Sequence, residues 1–388
     1  MSRSALPGGI DAPREIFGED HAAWRETCAA FFRDQVKPHH AEWERAGCVS
    51  REVWLEAGRL GLLCPALPEE LGGAGGDILH SACVWEEQMF ANCSGPGFSL
   101  HSDIVAPYLA KYGSAELKDR YLPAMASGEC IGAIAMTEPA VGSDLKAVRT
   151  SATRRGDDWV LNGSKTFITN GTMADMVIVV ARTGPGAGAR GLSLFCVPRG
   201  APGFERGPPL EKVGMHAQDT AELFFDDVSL PGWALLGEQG AAFSYLMAEL
   251  PQERLLIAAM AMASTEYMIA LTHDYVKERE AFGQRLLDLQ TVSHSLARLK
   301  CQSLAGRALV DQCLGLHAQG KLSAGLASAV KFQATEIQGA AADQCVQLHG
   351  GTGYMRTSEI ARAFVDARVQ RIYGGANEIM LEVVARSL

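Results

Sequence analysis

The apolar spacing of this chain changes period twice, and that double change constrains the fold more than any single residue. From about Asp20 to Met125 apolar residues recur at helical intervals, as in His21–Lys37, where Trp24, Cys28, Phe31 and Phe32 share one face. Clusters such as Pro65-Ala-Leu-Pro68, Gly72-Gly-Ala-Gly-Gly76 and Ser94-Gly-Pro-Gly97 punctuate these helices. From about Cys130 to Pro231 the pattern becomes short strand-like runs: Ile131–Met136, Trp159–Leu161, Met176–Ala181, Leu192–Val197 and Glu222–Phe225. Gly156-Asp-Asp158 and Asn162-Gly163 are turn signals between such runs, and the second suits a tight hairpin. From Glu238 the helical period returns. Leu255 to Leu271 is almost wholly apolar or small, so that helix is expected to be buried on most sides. Leu286, Leu289, Val292, Leu296 and Leu299 mark an amphipathic helix, and another runs from about Leu322 to Leu348 and stops at Gly350-Gly351. The expected class is α+β, mostly α: a helical domain over 1–126, a small antiparallel barrel or sandwich over 127–237, and a helical bundle over 238–388.

Composition narrows the partners. Of 388 residues 47% are hydrophobic and 21% charged, which suits a globular chain with a sizeable core. The net charge of −10 argues against nucleic acid as the main partner. It leaves room for a phosphorylated small molecule, which needs only one cationic pocket. The ten cysteines show no C-x-x-C pair and no His at metal-finger intervals, so they read as reduced core thiols, with no metal site. The start, MSRSALPGGIDAPREIF, has neither an apolar core nor the Arg-rich bias of a targeting peptide. No apolar run approaches the ~20 residues of a bilayer span. A soluble, cytoplasmic protein is expected.

Two segments carry polar chemistry at strand ends. In Ala135-Met-Thr-Glu-Pro-Ala-Val-Gly-Ser-Asp144, Thr137 and Ser143 bracket a Pro–Gly turn whose N–H and hydroxyl groups can hold oxygens; the same composition also makes an ordinary turn. In Lys165-Thr-Phe-Ile-Thr-Asn170 an aromatic stands beside a hydroxyl, either as a core strand or as a wall for a flat cofactor.

These segments, AMTEPAVGSDL and KTFITNG, followed in order by REAFGQ and QLHGGTGY, resemble the acyl-CoA dehydrogenase family. LPQERLLIA, ADQCVQLHGG, DARVQ and IYGGANEIM are similar to its long-chain members, and the resemblance runs from about Phe17 to the C-terminus. It implies a helical domain, a β-domain and a C-terminal four-helix bundle, assembled as a homotetramer (a dimer of dimers), with FAD as cofactor. It also implies that Ile134, Met136, Thr137, Gly142 and Ser143 line the flavin, and that Phe167, Ile168 and Thr169 cover its face and N5 side. Many relatives have Trp where this chain has Phe167. Arg279, Phe282 and Gln290, with Gln347, Leu348, Gly350 and Gly351, would approach the cofactor of a neighbouring subunit; Ala376 and Glu378 are further cofactor contacts. Arg279 offers a rigid fork for a pyrophosphate, and its alternative is a surface ion pair within Lys277-Glu-Arg-Glu280. Ser143, Arg254, Gly374 and Gly375 are the implied acyl-CoA contacts. Electron-transfer flavoprotein is the implied acceptor.

The reaction, α,β-dehydrogenation to a trans-2-enoyl-CoA, needs a base for a weakly acidic C–H. Many members place it after a Tyr near the C-terminus, but here that stretch is Tyr373-Gly374-Gly375, so the position holds no carboxylate. The isovaleryl and long-chain branches carry the Glu on a C-terminal-domain helix, and LPQERLLIA fits that pattern at Glu253. Gln252, Glu253 and Arg254 fan across about 200° of a helix whose following turns are apolar nearly all round, so one of them should point inward. Pro251 opens a helix or kinks one; the first case would set a helix dipole against burial at Glu253. Glu378 is the rival carboxylate. The two glycines vacate volume near the reacting carbons, which favours a medium- to long-chain substrate, straight or branched. Ser244 stands where long-chain relatives tend to have Tyr. Alternatives are an isovaleryl- or isoprenoid-CoA dehydrogenase, an acyl-CoA oxidase, and a non-catalytic acyl-CoA or flavin-binding protein.

Overall fold

A computed structural model describes residues 10, 13–184, 188 and 191–388. The opening residues of the expected N-terminal domain, 1–9, 11 and 12, lie outside the described residues. Among the described residues seven α-helices come first: α1 (Glu19–Phe31), α2 (His40–Ala46), α3 (Arg51–Arg59), α4 (Ile78–Phe90), the short α5 (Phe98–Leu100), α6 (Ala106–Tyr112) and α7 (Ala115–Ala126). The helical face read at Cys28, Phe31 and Phe32 is buried against Trp54, Leu62 and Phe98. Asp77 caps α4 through the N–H groups of Leu79 and His80, and Asp77 N–H donates to His80 Nδ1 in return.

Among the described residues eight strands follow: β1 (Gly132–Ala135), β2 (Ser151–Arg155), β3 (Asp158–Thr169), β4 (Met176–Arg182), β5 (Leu192–Pro198), β6 (Phe204–Arg206), β7 (Thr220–Leu230) and β8 (Leu235–Leu236). They form one sheet in the order β6-β7-β3-β2-β4-β5-β8, with β1 on β4. The expected antiparallel sheet is mixed, because β1 and β2 both meet β4 in parallel. Asn162-Gly163 is not a hairpin turn. It lies inside β3 at a register shift, where Gly163 (φ +145°) passes so close to Thr150 that a Cβ would stand 2.7 Å from its Cα. The hairpin is made by Gly156 (φ +66°), with Arg155 paired to Asp158.

The C-terminal helices are α8 (Ala242–Glu278), α9 (Gln290–Ala318), α10 (Ala324–His349), α11 (Glu359–Ala367) and α12 (Asn377–Ala385); a small hairpin, β9 (Glu280–Ala281) and β10 (Gln284–Arg285), joins α8 to α9. Helix α8 packs along α10, with α9 beside both, α12 on α10, and α4 closing the N-terminal side. Leu255–Met268 is buried throughout, as its all-round apolar character requires. By length and composition α8 could cross a membrane, which the sequence reading did not anticipate, but 89% of its apolar window is buried in this fold. A charged knot ties the domains together inside that core. Glu86, on α4, is fully buried and receives Arg14, Arg25 and Arg307, the last also bonded to Glu266.

Candidate active site

The turn after β1 is held open by a buried ion pair. Lys165 on β3 is fully buried, donating to Met136 O at 3.0 Å and to Glu138 Oε1 at 2.8 Å. Glu138 also accepts from the N–H groups of Arg149 and Thr150, at 2.8 and 2.9 Å. Burial pushes its carboxyl up, but Lys165 and these N–H donors leave it below the ordinary value. Thr166 N–H donates to Thr137 O, so the turn is stitched to β3. Ile134, Met136 and Thr137 therefore lie beside the strand that carries Phe167, Ile168 and Thr169, while Gly142 and Ser143 are exposed at the turn's far end.

Phe167 occupies a second register shift in β3, between Lys165 and Ile168, at φ +59° and 68% exposed. A bulky side chain in left-handed backbone costs about 1–2 kcal/mol. Exposing an aromatic there is unfavourable unless a flat group covers it. Phe282, at the β9–β10 turn, repeats the pattern with φ +54° and 94% exposure. Phe167, with Thr137 and Thr169 on the same side of the sheet edge, fits a flat aromatic cofactor of flavin type, and Phe282 is a second exposed ring, in the separate β9–β10 hairpin.

Glu253 is buried on α8, and Tyr108 on α6 donates to its Oε1 at 3.2 Å. Burial raises its carboxyl to about 7; the Tyr108 hydrogen bond and Arg254 pull the other way, and Glu249 adds to the rise. Pro251 lies in the interior of α8, where it removes one backbone donor, so no helix N-terminus acts on Glu253 and desolvation decides. Ile257, one turn after Glu253, reaches Gly374, where an added Cβ would overlap its Cδ1. The two glycines take left-handed backbone, Gly374 at φ +62° and Gly375 at φ +98°. Among the described residues neither glycine N–H donates to another protein group. The helix that carries Glu253 therefore packs on Gly374 through Ile257, one turn further along. Gly374→Ala is expected to destabilise the fold by about 2 kcal/mol, with part of the loss recovered by Ile257→Ala, as measured by urea unfolding.

The remaining predicted residues are elsewhere. Arg254 is buried and donates to Ser328 Oγ at 3.0 Å, leaving its buried Nε without a protein acceptor. Glu378 is exposed in the first turn of α12, and Ala376 precedes that helix. Arg279, which ends α8, is exposed and forms no ion pair among the described residues, so the local surface pair expected as its alternative is absent there. Gln290 begins α9, exposed. Gln347 and Leu348 close α10, which Gly350 caps at φ +59° with open space around it and Gly351. Tyr275 stacks on His349 at 4.3 Å, so Arg279 and Gln347–Gly351 share one end of the bundle. Glu253 lies 26 residues before Arg279 along α8, roughly 39 Å at 1.5 Å per residue. Asp20, His21 and His80 come within ligand distance of one another, but both imidazole Nδ1 atoms accept helix N-terminal N–H groups.

Sequence reasoning missed Tyr108, Glu138 and Lys165. A lysine within strand β3 and a glutamate just after strand β1 were the available signal for the last two.

A buried carboxyl of raised proton affinity on α8 and an exposed ring at a strained strand edge are features that suit a proton-abstracting enzyme with a flat cofactor. The comparisons agree. Family models for the N-terminal, middle and C-terminal domains of acyl-CoA dehydrogenase match residues 18–129, 133–228 and 240–388. Mitochondrial long-chain specific acyl-CoA dehydrogenase of Mus musculus is 57% identical over 97% of this chain and 88% of its own. An acyl-CoA dehydrogenase structure from Geobacillus kaustophilus is 45% identical with TM-score 0.94, covering 96% of this chain and 98% of that one. A Mycobacterium smegmatis glutaryl-CoA dehydrogenase solved with FADH2 is 28% identical with TM-score 0.89, covering 96% and 95%. The chain belongs to the acyl-CoA dehydrogenase family and is an FAD-dependent enzyme acting on acyl-CoA, which sets aside the non-catalytic alternative.

Proposed function

We propose that this enzyme dehydrogenates medium- to long-chain acyl-CoA thioesters, straight or branched, with Glu253 as the base that takes the α-proton. The observation that carries this is the buried Glu253 carboxyl, held by Tyr108 and raised to about 7, one helical turn before the Ile257 that packs on Gly374. A base with that affinity is free of its proton near neutral pH yet still holds one well. Tyr108 fixes the carboxyl by its hydrogen bond. The Gly374 N–H, uncommitted among the described residues, is the donor for the thioester carbonyl, where charge develops as the proton leaves. Thr137, Phe167 and Thr169 hold and cover the flavin, and Arg254 and Ser143 contact the acyl-CoA. Bound there, the flavin supplies the hydride acceptor.

The chain-length assignment draws support from the identity to the mouse long-chain enzyme; the volume that the two glycines were expected to vacate is instead filled, by Ile257 Cδ1 at Gly374 and by Met380 Cε at Gly375. Arg279 lies roughly 39 Å along α8 from Glu253, with Gln347–Gly351 at the same end of the bundle; this supports subunits that complete each other's cofactor sites, and a homotetramer (a dimer of dimers) is the proposed assembly. Exposed Val213, Tyr354 and Met355, between 58% and 88% exposed, suit buried subunit contacts. Electron-transfer flavoprotein is the proposed acceptor. Ten free thiols, eight of them buried, support a reducing compartment, and the cytoplasm is the proposed one.

Anaerobic bleaching of the flavin by butyryl-, octanoyl-, palmitoyl- and isovaleryl-CoA tests this. Palmitoyl- or octanoyl-CoA is expected to bleach fastest. Turnover confined to butyryl-CoA would sink the substrate assignment, a preference for isovaleryl-CoA would favour the branched-chain alternative, and stoichiometric peroxide in air would make the protein an oxidase.

A further inference from the structure

Helices α6 and α8 face each other through Tyr–Glu pairs on two successive turns. Tyr108 donates to Glu253; one turn later on α6, Tyr112 donates at 2.7 Å to Glu249 Oε1, one turn earlier on α8. Four-residue steps in opposite directions along the two helices place the second pair beside the first. The outer pair has a third member. Lys111 Nζ lies 2.6 Å from Glu249 Oε2, with its own side chain 53% exposed and that of Glu249 only 5% exposed. Tyr245 stacks on Tyr112 at 3.9 Å. His317, near the end of α9, feels the same pair: burial and Lys111 push its imidazole down while Glu249 pulls it up. Glu253 is therefore faced by Tyr108, Arg254 and Glu249, and Glu249 by Tyr108, Tyr112, Lys111, His317 and Glu253.

We propose that Tyr108 is the positioning residue for the base and that the Lys111–Glu249 ion pair at the outer turn sets how much negative charge the base experiences. This rests on the assignment of Glu253 as the base. Two carboxylates one turn apart in a poorly solvated interior repel, so the charge on Glu249 favours the protonated form of Glu253. A lysine that neutralises the outer one relieves the inner one. Because Lys111 reaches solvent, the relief passes from the surface to the reacting carboxyl through Glu249.

The test is the acid limb of kcat/KM for the FAD-loaded enzyme with its preferred acyl-CoA, where activity rises with pH as Glu253 loses its proton. Lys111→Met unmasks the Glu249 charge and is expected to move the limb up by about half a pH unit. Glu249→Gln removes the charge and is expected to move it down by about one unit. The double variant follows Glu249→Gln. Tyr108→Phe moves the limb up and lowers kcat with KM little changed. Opposite shifts for two partners of one ion pair are not what a loosened fold produces. Should Glu249→Gln fail to fold, the surface change at Lys111 decides alone. Limbs that stay in place or move together, in a protein whose Glu253→Gln variant is inactive, overturn the proposal and leave the base standing. An active Glu253→Gln enzyme overturns both.

Discussion

Replacing Glu253 by Gln is expected to slow bleaching of the flavin by acyl-CoA on the order of 10^3-fold while making the protein more stable above pH 7. The two effects have one origin. The amide keeps the shape and the contact with Tyr108 but neither accepts a proton at useful affinity nor carries charge. In the wild type, burial raises the carboxyl from an ordinary 4.5 to about 7. A group whose folded-state value is raised contributes stability fully below the unfolded value and loses it as pH rises through the folded one. Between about pH 4.5 and 7 the wild type therefore gives up roughly 3 kcal/mol, and above pH 7 it carries the whole cost of a buried anion. Gln carries none of it. Urea unfolding of both proteins at pH 5 and pH 8 is expected to show a gap in favour of Gln that widens toward pH 8. A Gln variant no more stable at pH 8 would mean that Glu253 is not held as a desolvated anion. Undiminished bleaching would move the base elsewhere, with Glu378, exposed on α12, the next carboxylate to replace.

How much of this was legible in the sequence differs by element. Helix α8 was readable because an apolar run has to be buried on every side, and Gly350 because a helix end favours a residue that takes positive φ. Asn162-Gly163 misled because the dipeptide records only a local backbone preference. The close approach of Thr150, thirteen residues earlier in the chain, decides that Gly163 sits in a bulge and not a turn. Pro251 was ambiguous for a similar reason: whether it opens or interrupts a helix depends on residues 242–250, which are weakly patterned and find their packing in a cluster shared with α6, α7 and the sheet.

The site was legible where chemistry and resemblance met on the same residue, as at Glu253 and Phe167. Its supports were not, since a hydrogen-bond partner such as Tyr108 is 145 residues from the carboxyl it holds. Nor does spacing reveal that Ile257 and Gly374 interlock. That contact explains why a carboxylate at position 374 is incompatible with this core: the space such a side chain would need is filled from α8.

Lys165→Met is expected to lower the FAD affinity by about 10^2-fold and to destabilise the fold by about 3–5 kcal/mol. Lys165 is fully buried, and burial outweighs its partner enough to bring the ammonium down to about 8, so it is charged at neutral pH only because Glu138 is 2.8 Å away. Without it, Glu138 keeps two N–H donors but no countercharge, the costliest way to break a buried pair. The turn carrying Thr137, Gly142 and Ser143 also loses its tie at Met136 O, so the groups proposed to hold the flavin are no longer registered against Phe167 and Thr169. The double variant Lys165→Met, Glu138→Met separates the two effects. Removing both charges should restore most of the stability, because the cost lies in the orphaned carboxylate. It should not restore the affinity, because the turn is then tied by neither residue. Calorimetric unfolding and fluorescence titration of the apoprotein with FAD read the two quantities independently. A double variant as unstable as the single one would show that Lys165 supports the fold through its packing, and a single variant with unchanged FAD affinity would show that the turn holds its shape without the ion pair.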